Sequence, residues 1–394
     1  MTRQTVKPAT WRTYDSTIRL HGGQCFARAW SLTPHRIIPQ VPWRVTAVQL
    51  PDGDHPSDFW VDTSGCLTTT PVPDAETLPG TYVIPGLVDA HAHPAVAATQ
   101  SGPAALGAGE TLAVLAAWGR TGVTLARDVG SPGGVSLELE RQPGMPRLQA
   151  AGRFLAPPGA YLPVLLPEGA PEERLTELAL AELARGARWV KLIADFPPLV
   201  DGAFRGAARA TYSHESVVAL VAAVHAMGGR VAAHSTSDTA AGLVAAGVDS
   251  LEHGNGIDEA TLHRMAGTGA AWTPTLCAVL NVRANVPDDA MRVEEYRARL
   301  RELLPRANRL GVPILTGTDT AGTVAREVAL LAECGLEPRA ALAAATTAAY
   351  AFLGEAYDLP GRPASLVTYD ADPRDDLAVL SAPSAILIDG TRVR

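Results

Sequence analysis

The feature that most constrains this chain is an alternation of strand-like and helix-like segments, repeated eight times between residues 84 and 353. Short apolar runs end at His93 and cover residues 122–128, 147–153, 189–193, 230–234, 250–253, 270–275 and 312–318. Amphipathic or Ala-rich stretches separate them, at residues 109–120, 171–186, 213–227, 238–246, 258–265 and 291–310, and two more at 324–334 and 338–353 close the series. Only the second unit is weak, with a short helical piece near 135–141. A strand followed by a helical crossover and another strand writes a parallel sheet. Eight such units predict a TIM (β/α)8 barrel, whose catalytic residues come from the carboxyl ends of its strands. A flavodoxin-type open sheet is the alternative, and eight repeats are many for it.

Both chain ends read differently. Short apolar or alternating pieces at 17–20, 43–50 and 59–61 are separated by Pro, Gly and Asp, and the style returns at 366–369, 377–380 and 385–388 before the turn Asp389-Gly390. This is the pattern of antiparallel strands joined by turns. It predicts a small β-sandwich domain built from residues 1–83 and 360–394 together, with a catalytic barrel over 84–359. A length of 394 residues suits one large domain and a small companion.

Composition excludes several functions. The net charge is -8 and no Lys/Arg stripe is present, so nucleic acid is not an expected partner. Residues 1–16 have no apolar core segment, and no apolar run is long enough to span a bilayer, so neither a secretory signal nor a membrane partner is expected. The cysteines Cys25, Cys66, Cys277 and Cys334 lack CxxC spacing, which argues against a thiolate metal site or a disulfide framework. A cytoplasmic protein acting on a small-molecule substrate is the expectation. No stretch identifies a subunit interface, so homo-oligomerisation stays open.

The first strand carries the strongest chemical signal. It runs Val83-Ile84-Pro85-Gly86-Leu87-Val88-Asp89-Ala90-His91-Ala92-His93-Pro94. Strand periodicity puts His91 and His93 on one face. Two neutral imidazoles side by side suit a divalent metal such as zinc, although two polar residues can also simply end a strand. Other strand ends add candidates: His234, His253 and Asp319. Lys191 lies inside the apolar Trp189-Val190-Lys191-Leu192-Ile193, where a buried amine needs an explanation. It could snorkel or pair with a carboxylate, or it could take up carbon dioxide and bridge two metals as a carbamate. Each histidine could be a hydrogen-bonded core residue and Asp319 a helix cap. Their joint occurrence at the ends of barrel strands favours the metal. By contrast His225 and His263, on helices, and His214, His21, His35 and His55 read as surface or structural.

These segments, PGLVDAHAHP, WVKLIAD, VAAHS, SLEHG and TGTD, resemble the amidohydrolase superfamily. The chain is most similar to its binuclear-metal branch, which includes prolidase-like and imidazolonepropionase-like enzymes, and the likeness extends to 361–367 as the return into the β-domain. The resemblance implies that His91, His93 and Asp319 hold one metal and His234 and His253 the other, with carbamylated Lys191 bridging two divalent ions, zinc by expectation. A metal-bridging hydroxide would then cleave an amide or related C–N bond of an N-acyl amino acid, dipeptide or cyclic amide, with Asp319 as general acid and base. Two alternatives stand. A mononuclear deaminase on the same barrel does without a bridging lysine, and a non-catalytic scaffold usually loses its ligands.

Substrate contacts are expected from the loops that follow the strands. Tyr212, in the long loop after the fourth strand, stands where prolidase-like enzymes place a carboxylate-binding tyrosine, and it could equally pack under the loop. The Gly-Gly-His turn usual after the third strand is replaced by Pro157-Pro158-Gly159-Ala160-Tyr161, leaving Tyr161 as a substitute. Asp195-Phe196-Pro197-Pro198 replaces a glycine-rich stretch of many relatives. Trp272 and Asn255 are further candidates for the pocket wall.

Overall fold

The computed structural model describes residues 41–99, 102–200, 203–282 and 290–394. The strand expected at 17–20 lies outside them, as do His21, Cys25 and His35. Apolar runs become parallel strands. Leu87–Ala92 pairs with Val123–Asp128, which pairs with Arg147–Ala150. A second parallel ladder joins Phe154–Leu155, Trp189–Ile193, Arg230–Ser235, Ser250–His253 and Ala271–Thr273 in that order. Most of these strands are buried along their whole length, which is why they read as continuous apolar runs.

Residues 312–319 run between the two ladders. On one side Trp272 N donates to Pro313 O (2.8 Å) and Leu315 N to Trp272 O (2.9 Å); on the other, Ala90 N donates to Thr316 O (2.8 Å) and Asp319 N to His91 O (2.7 Å). Expected as a regular strand, the segment forms parallel bridges at Ile314 and Asp319 only. Pro313 has no N–H to give, and Thr316 gives its own to Ala344 O.

The strand expected over 147–153 is also interrupted. Its two pieces flank Gly152, held at φ 75°, where a Cβ would run into the Glu182 carboxylate. Glu182 is buried and accepts from Arg153 Nε (2.6 Å) and Arg185 Nη1 (2.9 Å). The buried acid therefore selects glycine at the kink.

Helices follow the strands as expected: Ala108–Gly119, Leu175–Ala184, His214–Ala226, Ala240–Ala246, Glu259–Thr268, Ala290–Leu310 and Val324–Glu333. Ser213, Asp258 and Thr323 start three of them by accepting from Ser216 N (3.2 Å), Thr261 N (2.8 Å) and Arg326 N (3.2 Å). Along His214–Ala226 the buried Val217, Leu220, Val221 and Val224 make the apolar stripe. The weak second unit is a short 3-10 piece, Pro132–Glu138. The helix expected over 338–353 divides into Pro338–Ala344 and Thr347–Leu353 at Thr346, whose backbone is not helical and whose hydroxyl donates to Leu342 O.

Strands from both ends of the described chain share one eight-stranded mixed sheet. Thr391–Arg392, Ala385–Ile388, Leu366–Tyr369, Tyr82–Pro85, Trp43–Gln49, Pro56–Val61 and Leu67–Thr68 follow one another, and Glu76–Thr77 joins Trp43–Gln49. Trp43, Val45 and Ala47 are buried while Arg44 and Thr46 are exposed, the alternation of a one-sided strand. Residues 377–380, expected as a strand, form the 3-10 turn Leu377–Ser381. The Asp376 side chain caps that turn by accepting from Ala378 N (2.9 Å), which diverts the backbone from a ladder. Among the described residues no helix is long and apolar enough to cross a membrane.

Glu327 ties the end of the seventh strand to a helix. It is fully buried on Val324–Glu333 and accepts from Leu276 N (2.6 Å) and Cys277 N (2.7 Å). Burial pushes its carboxyl up to about 8 against the pull of those two amides. The folded value exceeds the unfolded one of about 4.3, so the stability carried by the protonated acid is full below that value and lost as pH rises through about 8. The melting temperature of the protein should thus fall relative to that of Glu327→Gln between pH 5 and 8, at up to about 1.4 kcal/mol per unit. A difference that stays flat in chemical or thermal melts would show that Glu327 is ionised throughout.

Candidate metal centre

Strand periodicity makes the first contact. His91 and His93 project from the same face at the end of Leu87–Ala92, with ring centroids 5.2 Å apart. His91 lies 4.9 Å from His253, and His253 lies 4.5 Å from His234, so the four rings form one chain across the strand ends. Asp319 Oδ1 is 3.6 Å from His93 Nε2, and ligand atoms of His91, His93 and Asp319 all lie within 4.8 Å of one another. Lys191, His234 and His253 line the same cavity of about 400 Å³. All six residues singled out from the sequence therefore converge there.

The histidines are held by their outer nitrogens. His93 Nδ1 meets Gly130 O at 2.8 Å, and a carbonyl can only accept, so Nδ1 carries the proton. His91 Nδ1 donates to Glu252 Oε2 at 2.6 Å. Thr275 donates its hydroxyl to Pro274 O (2.8 Å), which leaves its oxygen to accept from His253 Nδ1 (2.7 Å). In all three rings Nε2 keeps its lone pair. Burial, assisted by the Lys191 charge, holds His93 down to about 3 and His91 well below its ordinary value; burial and His234 do the same to His253. Neutral imidazoles with a fixed tautomer are what a cation requires. At His234 it is Nε2 that faces Asp195 Oδ1, at 3.9 Å, which makes Nδ1 the candidate donor.

Backbone strain concentrates here. His253 (φ 67°), Thr275 (φ 51°) and Asp319 (φ 58°) are non-glycine residues in the left-handed region. Ser250 and Glu252 point inward by strand alternation, and the turn at His253 brings the next ring back over the mouth. Asp319 is set by its own N–H on His91 O and by Asp89, which accepts from Thr318 N (3.0 Å) and Thr318 Oγ1 (2.6 Å). Burial pushes the Asp319 carboxyl up to about 6, with the Lys191 charge opposing.

Lys191 is 1% exposed, and its Nζ has no hydrogen-bond partner among the described residues. Burial lowers it to about 8 although Glu252 and Asp319 pull it upward. An orphaned amine in a protein interior is costly unless something else occupies the site. Together with the three preset imidazoles and Asp319, it gives a donor set that fits divalent cations.

Several residues escaped the sequence reading. Glu252 is fully buried and also accepts from Arg127 Nη2 (2.8 Å) and Ser250 Oγ (2.6 Å); Arg127 stacks 4.4 Å over the Trp189 ring and bonds to Ala90 O. A charged residue inside an apolar strand was the available signal, as it was for Lys191. Asp195, which the sequence offered only as part of the loop after the fourth strand, accepts from the Thr236 and Ser237 amides and from three hydroxyls. Burial acts to raise its carboxyl, but Thr239, His234 and Ser237 outweigh that and hold it low.

The loop candidates divide. Tyr161 lines the cavity, and burial together with the Asp319 charge raises its phenol, keeping it protonated. Tyr212 is outside the lining; its ring packs in the core and its hydroxyl donates to Ala170 O at 2.7 Å. Asn255 lines the cavity, whereas Trp272 is fully buried and gives its Nε1–H to His253 O at 2.8 Å. His225 pairs with Asp249 (2.9 Å) at the surface, away from the site, and His263 is exposed.

Parallel strands with helical crossovers and a polar site at their carboxyl ends define a TIM-barrel-like α/β enzyme. The particular family follows from residues 82–393, which match the amidohydrolase family, and the chain belongs to it. It is a metal-dependent hydrolase. An uncharacterized protein of Mycobacterium tuberculosis is 34% identical over 360 residues, covering 88% of this chain and 94% of that one. The fold is similar to that of a prolidase complexed with N-methylphosphonate-L-proline (TM-score 0.74, 24% identity, 90% of this chain and 99% of that one). It is also similar to a Xaa-Pro dipeptidase with methionine bound in its active site (TM-score 0.73, 20% identity, 90% and 100%) and to the ochratoxinase of A. niger (TM-score 0.69, 19% identity, 90% and 95%).

Proposed function

We propose that the chain is a binuclear-metal amidohydrolase that cleaves an amide or related C–N bond of a small molecule. The parallel strands would close into a (β/α)8 barrel over 84–359, and both chain ends would form the small β-sandwich domain, 1–83 with 360–394. The single observation that carries the reading is the buried, unpartnered Nζ of Lys191 beside four histidines and Asp319. With a value near 8 the amine is partly neutral at physiological pH; the neutral form adds to carbon dioxide, loses one proton and becomes a carbamate with two oxygens to offer. His91, His93 and Asp319 would then hold one cation and His234 and His253 the other, with the carbamate shared.

Two such ions, zinc by our reading, supply Lewis acidity and a water that ionises near neutral pH. The protein's residues do the remainder. Asp319 would take a proton from water on one side and return it to the leaving nitrogen on the other. Tyr161, kept protonated by burial and the Asp319 charge, would donate to the substrate's carbonyl oxygen as charge develops on it. A cytoplasmic setting agrees with cysteines left as free thiols at Cys66, Cys277 and Cys334.

Elemental analysis of the protein loaded with zinc should find about two ions per chain, and a screen of N-acyl and carbamoyl compounds should find amine release. About one ion per chain with release of ammonia from a ring amine would establish the mononuclear deaminase instead. Full loading with no turnover across the screen would favour the scaffold.

A further inference from the structure

The cavity beside the histidines has a one-sided chemistry. Phe154 lies 5.4 Å from His93, Tyr161 lies 5.3 Å from Phe154 and 4.9 Å from Phe196, and Phe196 lies 5.8 Å from His234. These rings make an unbroken aromatic arc from one end of the donor cluster to the other. Leu162, Leu165 and Val96 back it. An apolar group placed there gains roughly 25 cal/mol for each Å² it buries.

Among the described residues this wall meets a carboxylate with the Tyr161 hydroxyl but with no cation of its own. Among the described lining residues Lys191 is the sole Lys or Arg, and it is buried at the donor cluster. Arg153, beside Phe154, is turned to Glu182 at 2.6 Å, and Arg209, the ladder partner of Phe196, is exposed and outside the lining. A carboxylate brought into this cavity away from the metals would lose its water without gaining a cation, which costs several kcal/mol by general experience. The polar demand in the lining runs the other way. Asn255 Oδ1 is buried without a hydrogen-bond partner among the described residues, and it can only accept. A substrate N–H satisfies it.

We infer that the substrates are uncharged N-acyl compounds, amides, carbamates or ureas, bearing an aryl or branched alkyl group held by the Phe154, Tyr161 and Phe196 arc and an N–H that donates to Asn255. This rests on the amidohydrolase reading for the reaction and narrows its substrate. Hydrolysis adds water across the C–N bond: the oxygen bonds to the carbonyl carbon, the C–N bond breaks, and the nitrogen leaves with the proton. Free dipeptides and N-acyl amino acids are disfavoured by their carboxylates.

The test uses a matched pair on the zinc-loaded full chain: N-phenylacetyl-L-leucine and N-phenylacetyl-3-methylbutylamine, which differ only by the carboxylate. Binding is read by calorimetry and cleavage by amine release. The neutral compound is expected to bind at least about tenfold more tightly, a difference of about 1.4 kcal/mol. Phe196→Arg, which adds a cation to the wall, should reverse the preference, while Phe196→Leu should keep it. Equal or tighter binding of the acid overturns the inference, and so does failure of both to bind. Tight binding of the neutral compound without cleavage upholds the substrate class and removes the proposed reaction, so the two ideas fail separately.

Discussion

Lys191→Met protein is expected to hold at most about one metal per chain, to hydrolyse substrate about a thousandfold more slowly, and yet to melt at a higher temperature when stripped of metal. The three effects share one cause. Methionine fills the lysine's volume with a flexible apolar chain but cannot form a carbamate, so the group proposed to bind both cations is gone. Losing several kcal/mol of transition-state stabilisation from one cation corresponds to about three decades in rate. In the metal-free protein the balance is opposite. The Nζ is 1% exposed with no hydrogen-bond partner among the described residues, and burial has already lowered its proton affinity. Removing an uncompensated polar group of this kind returns roughly 1–3 kcal/mol. Metal analysis, steady-state rates and chelator-treated thermal melts read the three predictions separately. Two metals retained by the variant would sink the carbamate bridge, and a lower metal-free melting temperature would mean the amine is stabilised in a way its surroundings do not reveal.

The convergence of the six residues was legible because each sits at the end of an apolar run, and a run of buried strand residues fixes direction and face together. His91 and His93 needed nothing beyond the two-residue period. Legibility stopped where backbone and side chain depart from that period. His253 follows Glu252 in a strand, so alternation alone would send the two to opposite faces; only the positive φ at His253 lets both serve the same site. In the sequence the third and eighth strands look unbroken because Gly152 and Pro313 give no sign of the buried Glu182 beside one or of the Ala344 carbonyl near the other. Tyr212 illustrates the limit for loops. Position along the chain brought it level with a substrate-binding tyrosine, but a hydroxyl that finds Ala170 O under the loop is spent on packing. The partners of Glu252 come from Val123–Asp128, Leu87–Ala92 and its own strand, and no local pattern announces a contact of that range.

Glu252→Gln should lower metal affinity by roughly 10- to 100-fold while leaving the fold intact. The substitution preserves shape and removes only charge and one acceptor, so its effect isolates what the carboxylate does. Glu252 accepts from three donors at once: His91 Nδ1, Arg127 Nη2 and Ser250 Oγ. A glutamine has one acceptor oxygen and one amide nitrogen. If the nitrogen faces His91, that ring must accept at Nδ1, its proton moves to Nε2, and the nitrogen needed by the cation is blocked. If the oxygen faces His91 instead, the amide N–H groups face the Arg127 guanidinium, donor against donor, with a buried cation left unpaired. Either orientation has a cost, and the two can be told apart. Blocking His91 changes the ring's nitrogen shifts in NMR and weakens zinc with little loss of melting temperature. Exposing Arg127 lowers the melting temperature by several kcal/mol equivalents and is relieved by adding Arg127→Met, since the unpaired charge then disappears. If zinc affinity, measured by chelator competition, is unchanged in Glu252→Gln, then His91 is oriented by the strand alone and the buried carboxylate serves only the arginine.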